Sequence, residues 1–284
     1  MNPGSFVSTK NSSEIDPRRR KLEPFLKWAG GKRWAVAELV RHAPPVFDRY
    51  VEPFLGGASL FFALQPQSAV LADVNSELIN AYRCVRDRAG DLQRWLRWLE
   101  ERHSASLYYK IRDKSGGSAF WRALRFVYLN RTCWNGLYRV NLKGEFNVPI
   151  GTKTAICFND GLSSQAALLQ RAELRAQDFE TTIATTGRGD FLYVDPPYTV
   201  RHNNNGFLKY NEKIFTWKDQ ERLRLGVEEA KGRGAMVLIS NAAHSSVRDL
   251  YGRLGEVIEL ERSSVLAASS RHRRRESEVL IKCY

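Results

Sequence analysis

At 284 residues and 43% hydrophobic, the chain is long enough for one large or two modest domains and can bury a core. It shows no apolar run near the roughly 18 residues of a membrane helix and no secretory signal in MNPGSFVSTKNSSEIDPRRRK; its four cysteines form no C-x-x-C pair, so a cytoplasmic protein with no metal site, no disulfide framework and no membrane association is expected. Lys and Arg outnumber Asp and Glu 44 to 31, and the net charge of +13 calls for a polyanionic partner.

Residues 1–23 are polar, contain proline and carry the basic run Arg18 to Lys21, so they read as a disordered basic tail. Beyond them, short apolar segments alternate with helical spacing, the pattern of a largely parallel sheet covered by helices. The first expected strand, RYVEP (49–53), runs into EPFLGGASLFF (52–62), where Gly56 and Gly57 let backbone approach a ligand ahead of a helix. That turn is not the G-x-G-x-x-G of a dinucleotide site, nor is AGGKRW a phosphate loop. A nucleoside ligand without a pyrophosphate remains, and S-adenosylmethionine is the commonest such cofactor on this architecture. The second strand, AVLADV (69–74), ends at Asp73, 17 residues after Gly56, near the offset at which an acid accepts hydrogen bonds from ribose hydroxyls.

Asn75 is a candidate helix cap, followed by Leu78, Tyr82 and Val85 at helical spacing. Residues 80–160 then break the alternation. They hold the tryptophan-rich helical patterns DLQRWLRWLEERH (91–103) and AFWRALRFVYLNR (119–131), and the segment LNRTCWNGLYRVNLKGEF (129–146), in which basic residues sit among aromatics. A mostly helical lobe inserted between the second and third strands accounts for them. Turn residues at Asn135-Gly136 and Lys143-Gly144 predict a hairpin-like loop, with Trp134 at an exposed tip, since an apolar tip is unfavourable unless it meets something.

The third strand is ELRAQD (173–178), and the fourth, DFLYVD (190–195), runs into Asp195-Pro196-Pro197-Tyr198. Thr216 and Asp219 resemble a capping box ahead of Leu223, Val227 and Ala230. The last strands are AMVLIS (235–240), EVIELE (256–261) and SEVLIKCY (277–284); the final two leave no room for a crossover helix and should pair antiparallel at one edge.

The tetrapeptide has a chemical reading. An amino group conjugated to a purine is a poor nucleophile, because its lone pair is delocalised into the ring. Hydrogen-bond acceptors that favour a more tetrahedral nitrogen make it reactive. Asp195 can accept one bond and the Pro196 carbonyl a second, and Tyr198 offers a flat face to an extruded base.

In their order along the chain, FLKWAGGK (25–32), VEPFLGGASLFF (51–62), LADVNSELINAY (71–82), LNRTCWNGLYRVNLKGEFNVPIG (129–151), DPPY (195–198), LISN (238–241) and a terminal EVLIKCY resemble the Dam-like alpha-class DNA adenine N6-methyltransferases. The resemblance covers nearly everything from about residue 24 onward. It implies an α/β fold: a Rossmann-like seven-stranded methyltransferase sheet at 24–79 and 161–284 that binds S-adenosylmethionine, with an inserted, mostly helical DNA-recognition domain at 80–160 carrying the hairpin loop. It also implies that Trp28, Lys32, Phe54 and Gly56 hold S-adenosylmethionine, with Asp73 on the ribose, Asp178 and Phe179 beside the adenine, and Asp195 next to the reacting amino group. Lys27, Trp134, Asn135, Leu137, Arg139 and Pro149 would face double-stranded DNA. One position departs from the family's F-x-G-x-G turn: Ala58 stands where the second glycine falls. Apart from the family, Trp28 also suits a core, Lys32 a solvated helix start and Arg139 an ordinary surface position.

The implied activity is methylation of adenine N6 in duplex DNA, at GATC or a site containing GAT, in an enzyme that can accompany a restriction endonuclease of the same specificity. The GAT preference follows because an arginine pairs best with guanine while leucine and proline suit the thymine methyl. Methylation of a cytosine amino group, and a catalytically idle DNA-binding protein on the same scaffold, are the alternatives.

Overall fold

In the computed structural model, which describes residues 13–14, 22–141, 143–159, 161–200, 215–261 and 277–284, all seven expected strands form and share one sheet. They are β1 (Arg49–Glu52), β2 (Ala69–Asp73), β3 (Ala172–Ala176), β4 (Asp190–Val194), β5 (Met236–Ala242), β6 (Glu256–Glu261) and β7 (Ser277–Lys282). The helices among the described residues are α1 (Val36–Arg41), α2 (Ser59–Leu64), α3 (Ser76–Glu101), α4 (Ala105–Asp113), α5 (Ala119–Thr132), α6 (Ser163–Leu169), α7 (Phe179–Ala184), α8 (Trp217–Gly232) and α9 (Ser245–Tyr251).

Across the sheet the order is β3-β2-β1-β4-β5-β7-β6. β1 to β5 pair in parallel, and β7 is antiparallel to both β5 and β6, as two strands without a crossover helix require. Alternation along each strand separates two apolar layers. Tyr50, Leu71, Tyr193 and Leu280 pack with Leu78 and Tyr82 of α3 and Leu124 of α5, whereas Val51, Val70, Leu192 and Ile239 pack with Ile183 of α7 and Leu223 and Val227 of α8. All five residues of β4 are buried, which fits a central strand covered on both faces. At its start, Asp190 takes two hydrogen bonds from Arg49 of β1, at 2.9 and 2.7 Å, a bidentate pair that fixes the register of the two central strands.

Both expected caps form. The Asn75 side chain accepts from the amides of Glu77 and Leu78, and Thr216 and Asp219 make a reciprocal capping box on α8. α3 spans the boundary drawn at residue 80 and kinks at Arg88 (φ −141°, ψ 36°). Its second half buries Leu92, Leu96 and Leu99 in a core that is continuous with the sheet face below. β3 stops earlier than expected, at Ala176, because Asp178 leaves the strand to cap α7 by accepting from the Glu180 amide.

Two outcomes concern the ends of the expected pattern. Most of residues 1–21 lie outside the described residues, but Ser13–Glu14, within the stretch expected to be unstructured, pairs antiparallel with Val46–Phe47. No helix among the described residues is long and apolar enough to cross a membrane.

Ala58 lies in the left-handed region (φ 55°, ψ 38°), just before α2. The turn therefore keeps the conformation a glycine would adopt without strain, with a Cβ present. Ala58→Gly is expected to raise stability by about 0.5–1 kcal/mol, the left-handed strain outweighing the extra freedom of glycine in the unfolded chain. The midpoint of urea unfolding measures it; a lower midpoint than wild type would show that Ala58 is unstrained.

Candidate active site

β1 and β4 are neighbours, yet the chain leaves them in opposite directions, toward β2 and toward β5. Their carboxyl ends therefore frame a crevice. A cavity of about 600 Å³ opens there, and Trp28, Lys32, Phe54, Gly56, Asp73, Asp178, Phe179, Asp195, Pro196 and Tyr198 all line it. Every residue expected at the cofactor or the reacting base is brought to this one space.

One end of the cavity is aromatic. Phe54 and Phe179 stack with centroids 5.3 Å apart, and Phe215 meets Phe54 edge-on at 5.6 Å. Beside them Arg222, not foreseen from the sequence, lies 4.9 Å over Phe179 and reaches Asp178 at 3.3 Å. The Asp73 carboxylate accepts from the amides of Gly56 (3.2 Å) and Asn75 (2.9 Å), which partly offsets the upward push that burial gives its pKa. Gly56 is required by close approach: a Cβ there would stand 2.8 Å from the Trp28 indole. Trp28 in turn stacks on Tyr138 at 5.5 Å, and Tyr138, Val140 and Asn141 of the inserted segment line the cavity beside it.

The other end is ionic. Lys32 is not a solvated helix start; it is 3% exposed, with its ammonium 2.9 Å from Asp195 Oδ1 and 3.5 Å from Glu278 Oε2. It also donates to the Gly30 carbonyl at 2.8 Å and lies 4.7 Å over the Tyr198 ring. The Tyr198 hydroxyl donates to Glu278 at 2.8 Å. The Pro197 carbonyl accepts from Thr199 and from the fully buried Gln220, both at 3.5 Å, while Gln220 accepts from Asn241 and Tyr251. The turn after β4 is thus tied to α8, β5 and α9. Glu52 of β1 also lines the cavity, bonded to the Tyr50 hydroxyl, and burial pushes its carboxyl well above the usual range. Glu278, Glu52, Gln220 and Arg222 were missed; for the first three the available signal was an acid or amide within an otherwise apolar strand or helix face, and Arg222, among the charged residues of α8, carried none.

Burial raises the Asp195 carboxyl to about 6, and Lys32 opposes that rise while Glu278 adds to it. Only the ionised form can accept a hydrogen bond from an amino group without itself donating one. For a reaction in which Asp195 is that acceptor, turnover at low substrate is expected to fall as pH drops through about 6, by tenfold per unit below it. A profile of kcat/KM against pH whose acid limb lay near 4 would exclude Asp195 as the titrating acceptor.

The residues expected to face DNA gather at the base of the hairpin. Asn130, buried in α5, donates to the carbonyls of Lys27 (2.7 Å) and Gly136 (3.2 Å) and accepts from the Lys27 amide (3.0 Å). Lys27 therefore lies against the turn Trp134–Gly136. Gly136 has φ 66°, and a Cβ on it would meet Lys27 Cδ at 2.6 Å. The Trp134 amide donates to the Pro149 carbonyl at 2.9 Å, and Trp134 and Leu137 are 53% and 36% exposed. Arg139 is exposed on the next arm, its Nε donating to Asn147 at 2.9 Å. Trp134 is not at the tip as expected. The hairpin, bridged at Val140 and Phe146, turns at Asn141–Glu145, where the Asn141 side chain accepts from the amides of Lys143 and Glu145.

Residues 28–265 match the family model described as D12 class N6 adenine-specific DNA methyltransferase. The chain is 34% identical over 280 residues to the Type II methyltransferase M1.LlaDCHI of Lactococcus lactis subsp. cremoris, covering 95% of this chain and 98% of the relative. It is 38% identical over 242 residues to a DNA adenine methylase of Serratia marcescens, covering 82% and 88% of the two chains. With the DNA adenine methylase of Escherichia coli K12 the identity is 35% over 250 residues, covering 86% and 90%.

Proposed function

The chain belongs to the D12 class of N6 adenine-specific DNA methyltransferases, and on that premise we propose that it uses S-adenosylmethionine to methylate adenine in duplex DNA at GATC or a longer site containing GAT. The observation that supports this most is a single cavity with Asp195 and Tyr198 at one end and the Phe54–Phe179 pair, Asp73 and Asp178 at the other. Flat rings to stack on, two carboxylates to accept hydrogen bonds and a close-approach glycine turn are what a nucleoside site needs. When bound, S-adenosylmethionine supplies a methyl carbon on a positively charged sulfur.

In this reading Phe54 and Phe179 flank the cofactor's purine, Asp178 accepts from it, Asp73 accepts from ribose hydroxyls, and Trp28 and Gly56 bound the remainder. Lys32 lines the same cavity against Asp195. The target adenine leaves the duplex and stacks on Tyr198. Asp195 and the Pro196 carbonyl then accept its two amino hydrogens, which localises the nitrogen lone pair toward the methyl donor. Segments 24–79 and 161–284 carry this chemistry. Segment 80–160, with Lys27, recognises the target through Trp134, Asn135, Leu137, Arg139 and Pro149, and the basic tail at 1–23 adds phosphate contacts.

A relative named as a Type II methyltransferase supports the presence of a companion restriction endonuclease with the same specificity. Expression in a host lacking adenine methylation, followed by sequencing of modified bases, tests activity, base and site together. Methylated adenine confined to GATC or GAT-containing sites is the expected result. Methylated adenine in another context would overturn the specificity alone.

A further inference from the structure

Glu278, the second residue of β7, has no role in the reading above. Its carboxylate accepts from the Tyr198 hydroxyl at 2.8 Å and lies 3.5 Å from the Lys32 ammonium. The same hydroxyl and the same ammonium reach Asp195 Oδ1 at 3.4 and 2.9 Å. Two donors thus stand between two carboxylates, in a ring built from the segment before α1, the turn after β4 and the strand β7. Its side chains are largely buried: Lys32 is 4% exposed, Asp195 17% and Glu278 14%.

The arrangement answers a problem posed by the chemistry. Asp195 has to offer an acceptor to an incoming amino group, yet a lysine ammonium lies against it. An ammonium bound to Asp195 alone would occupy its lone pairs and draw off its charge. A second carboxylate and the Gly30 carbonyl also lie within 3.5 Å of the ammonium, so its charge is shared among three oxygen partners and not concentrated on Asp195. Tyr198 has a related problem, since a stacking face works only if its ring is held at one angle. Its hydroxyl lies nearer to Glu278 (2.8 Å) than to Asp195 (3.4 Å), so β7 supplies the closer of these two anchors.

Resting on the proposed reaction, we propose that Glu278 is a positioning residue for methyl transfer: it anchors the Tyr198 hydroxyl and shares the Lys32 ammonium with Asp195, so that the stacking ring is fixed and the Asp195 carboxylate stays available to the amino group. Among the described residues, the charged and titratable groups that act on Asp195 are Lys32, Tyr198 and Glu278, with Glu52 of β1 and Tyr193 of β4 behind them.

The test compares wild type, E278Q and E278A with S-adenosylmethionine and duplexes holding either adenine or 2-aminopurine at the target position. E278A removes both contacts; kcat is expected to fall about 100-fold, with KM for the cofactor and Kd for DNA within about threefold of wild type. The 2-aminopurine emission of its DNA complex should differ from that of wild type, because the stacking ring is no longer held. E278Q is isosteric and keeps an acceptor for Tyr198 but loses the charge. Its kcat should fall about tenfold, and the acid limb of kcat/KM should move to lower pH, since a like charge beside Asp195 has gone. A purely structural role would lower the melting temperature and leave that limb in place, and it would overturn the proposal. So would kcat within threefold of wild type in both variants. A wild type that transfers no methyl group would overturn the underlying reaction and this role with it, whereas an active wild type with unaffected variants removes the role alone.

Discussion

Asp195→Ala is expected to lower turnover at least about a thousandfold while leaving DNA affinity nearly intact. The reason lies in what the carboxylate does and does not touch. It sits at the carboxyl end of β4, inside the cavity, whereas Trp134, Leu137, Arg139 and Pro149 lie at the hairpin. On the proposed assignment of those four residues to DNA, binding and chemistry are separable by mutation. Alanine also removes the nearest carboxylate from a buried ammonium, a second change to the site. Asp195→Asn controls for this by preserving shape; its amide nitrogen would present a donor where an acceptor is needed, so it should lose nearly as much activity. Single-turnover methylation alongside DNA binding by fluorescence anisotropy measures both effects. Turnover within tenfold of wild type in either variant would remove Asp195 from the mechanism.

Arg139→Ala should change what is read rather than what is done. Its Nε donates to the Asn147 side chain across the hairpin, which restrains the plane of the guanidinium. An arginine held in this way matches O6 and N7 of a guanine. Its loss is expected to cost about 1–3 kcal/mol, roughly 5- to 150-fold, at a single base pair. Methylation profiles on a library randomised around the adenine would show relaxed preference at that one position. Equal losses on every sequence would mark a phosphate contact instead. Asn147→Ala should reproduce a weaker form of the same relaxation if orientation is what matters.

The parts of this fold that could be read from the sequence are those whose causes are local. Asn75 and Thr216 cap helices through bonds to residues two or three positions away, so the spacing alone announces them. The strands show as apolar runs, and the turn after β4 is four consecutive residues. The missed features depend on contacts between distant positions. Asn130 meets Lys27 across 103 residues, and Glu278 meets Tyr198 across 80. Lys32, in a loop of glycines and basic residues, has no periodicity to show that it is buried beside an aspartate. The misplaced hairpin tip has a similar origin. Asn135-Gly136 and Lys143-Gly144 are both turn-forming pairs, and only the bridge between Val140 and Phe146 distinguishes the tip from the base.

The register of the two central strands has a consequence for how such an enzyme can change. Arg49 and Asp190 are partners 141 residues apart, and residues 80–160 supply more than half of that separation. Because loop-closure entropy grows only with the logarithm of length, carrying those residues costs the pairing under about 1 kcal/mol. The sheet is thus nearly indifferent to how long the intervening segment is. It is not indifferent to the surface that segment offers, since Leu92, Leu96 and Leu124 continue the core that starts at Tyr50 and Leu71. Lineages can therefore lengthen, shorten or replace the exposed hairpin with little thermodynamic resistance, while the helices beneath it stay bound to the apolar pattern of the strands. On the proposed assignment of target reading to the hairpin, new target sequences are most accessible through changes beyond Gly136, which leave the cavity at the strand ends in place.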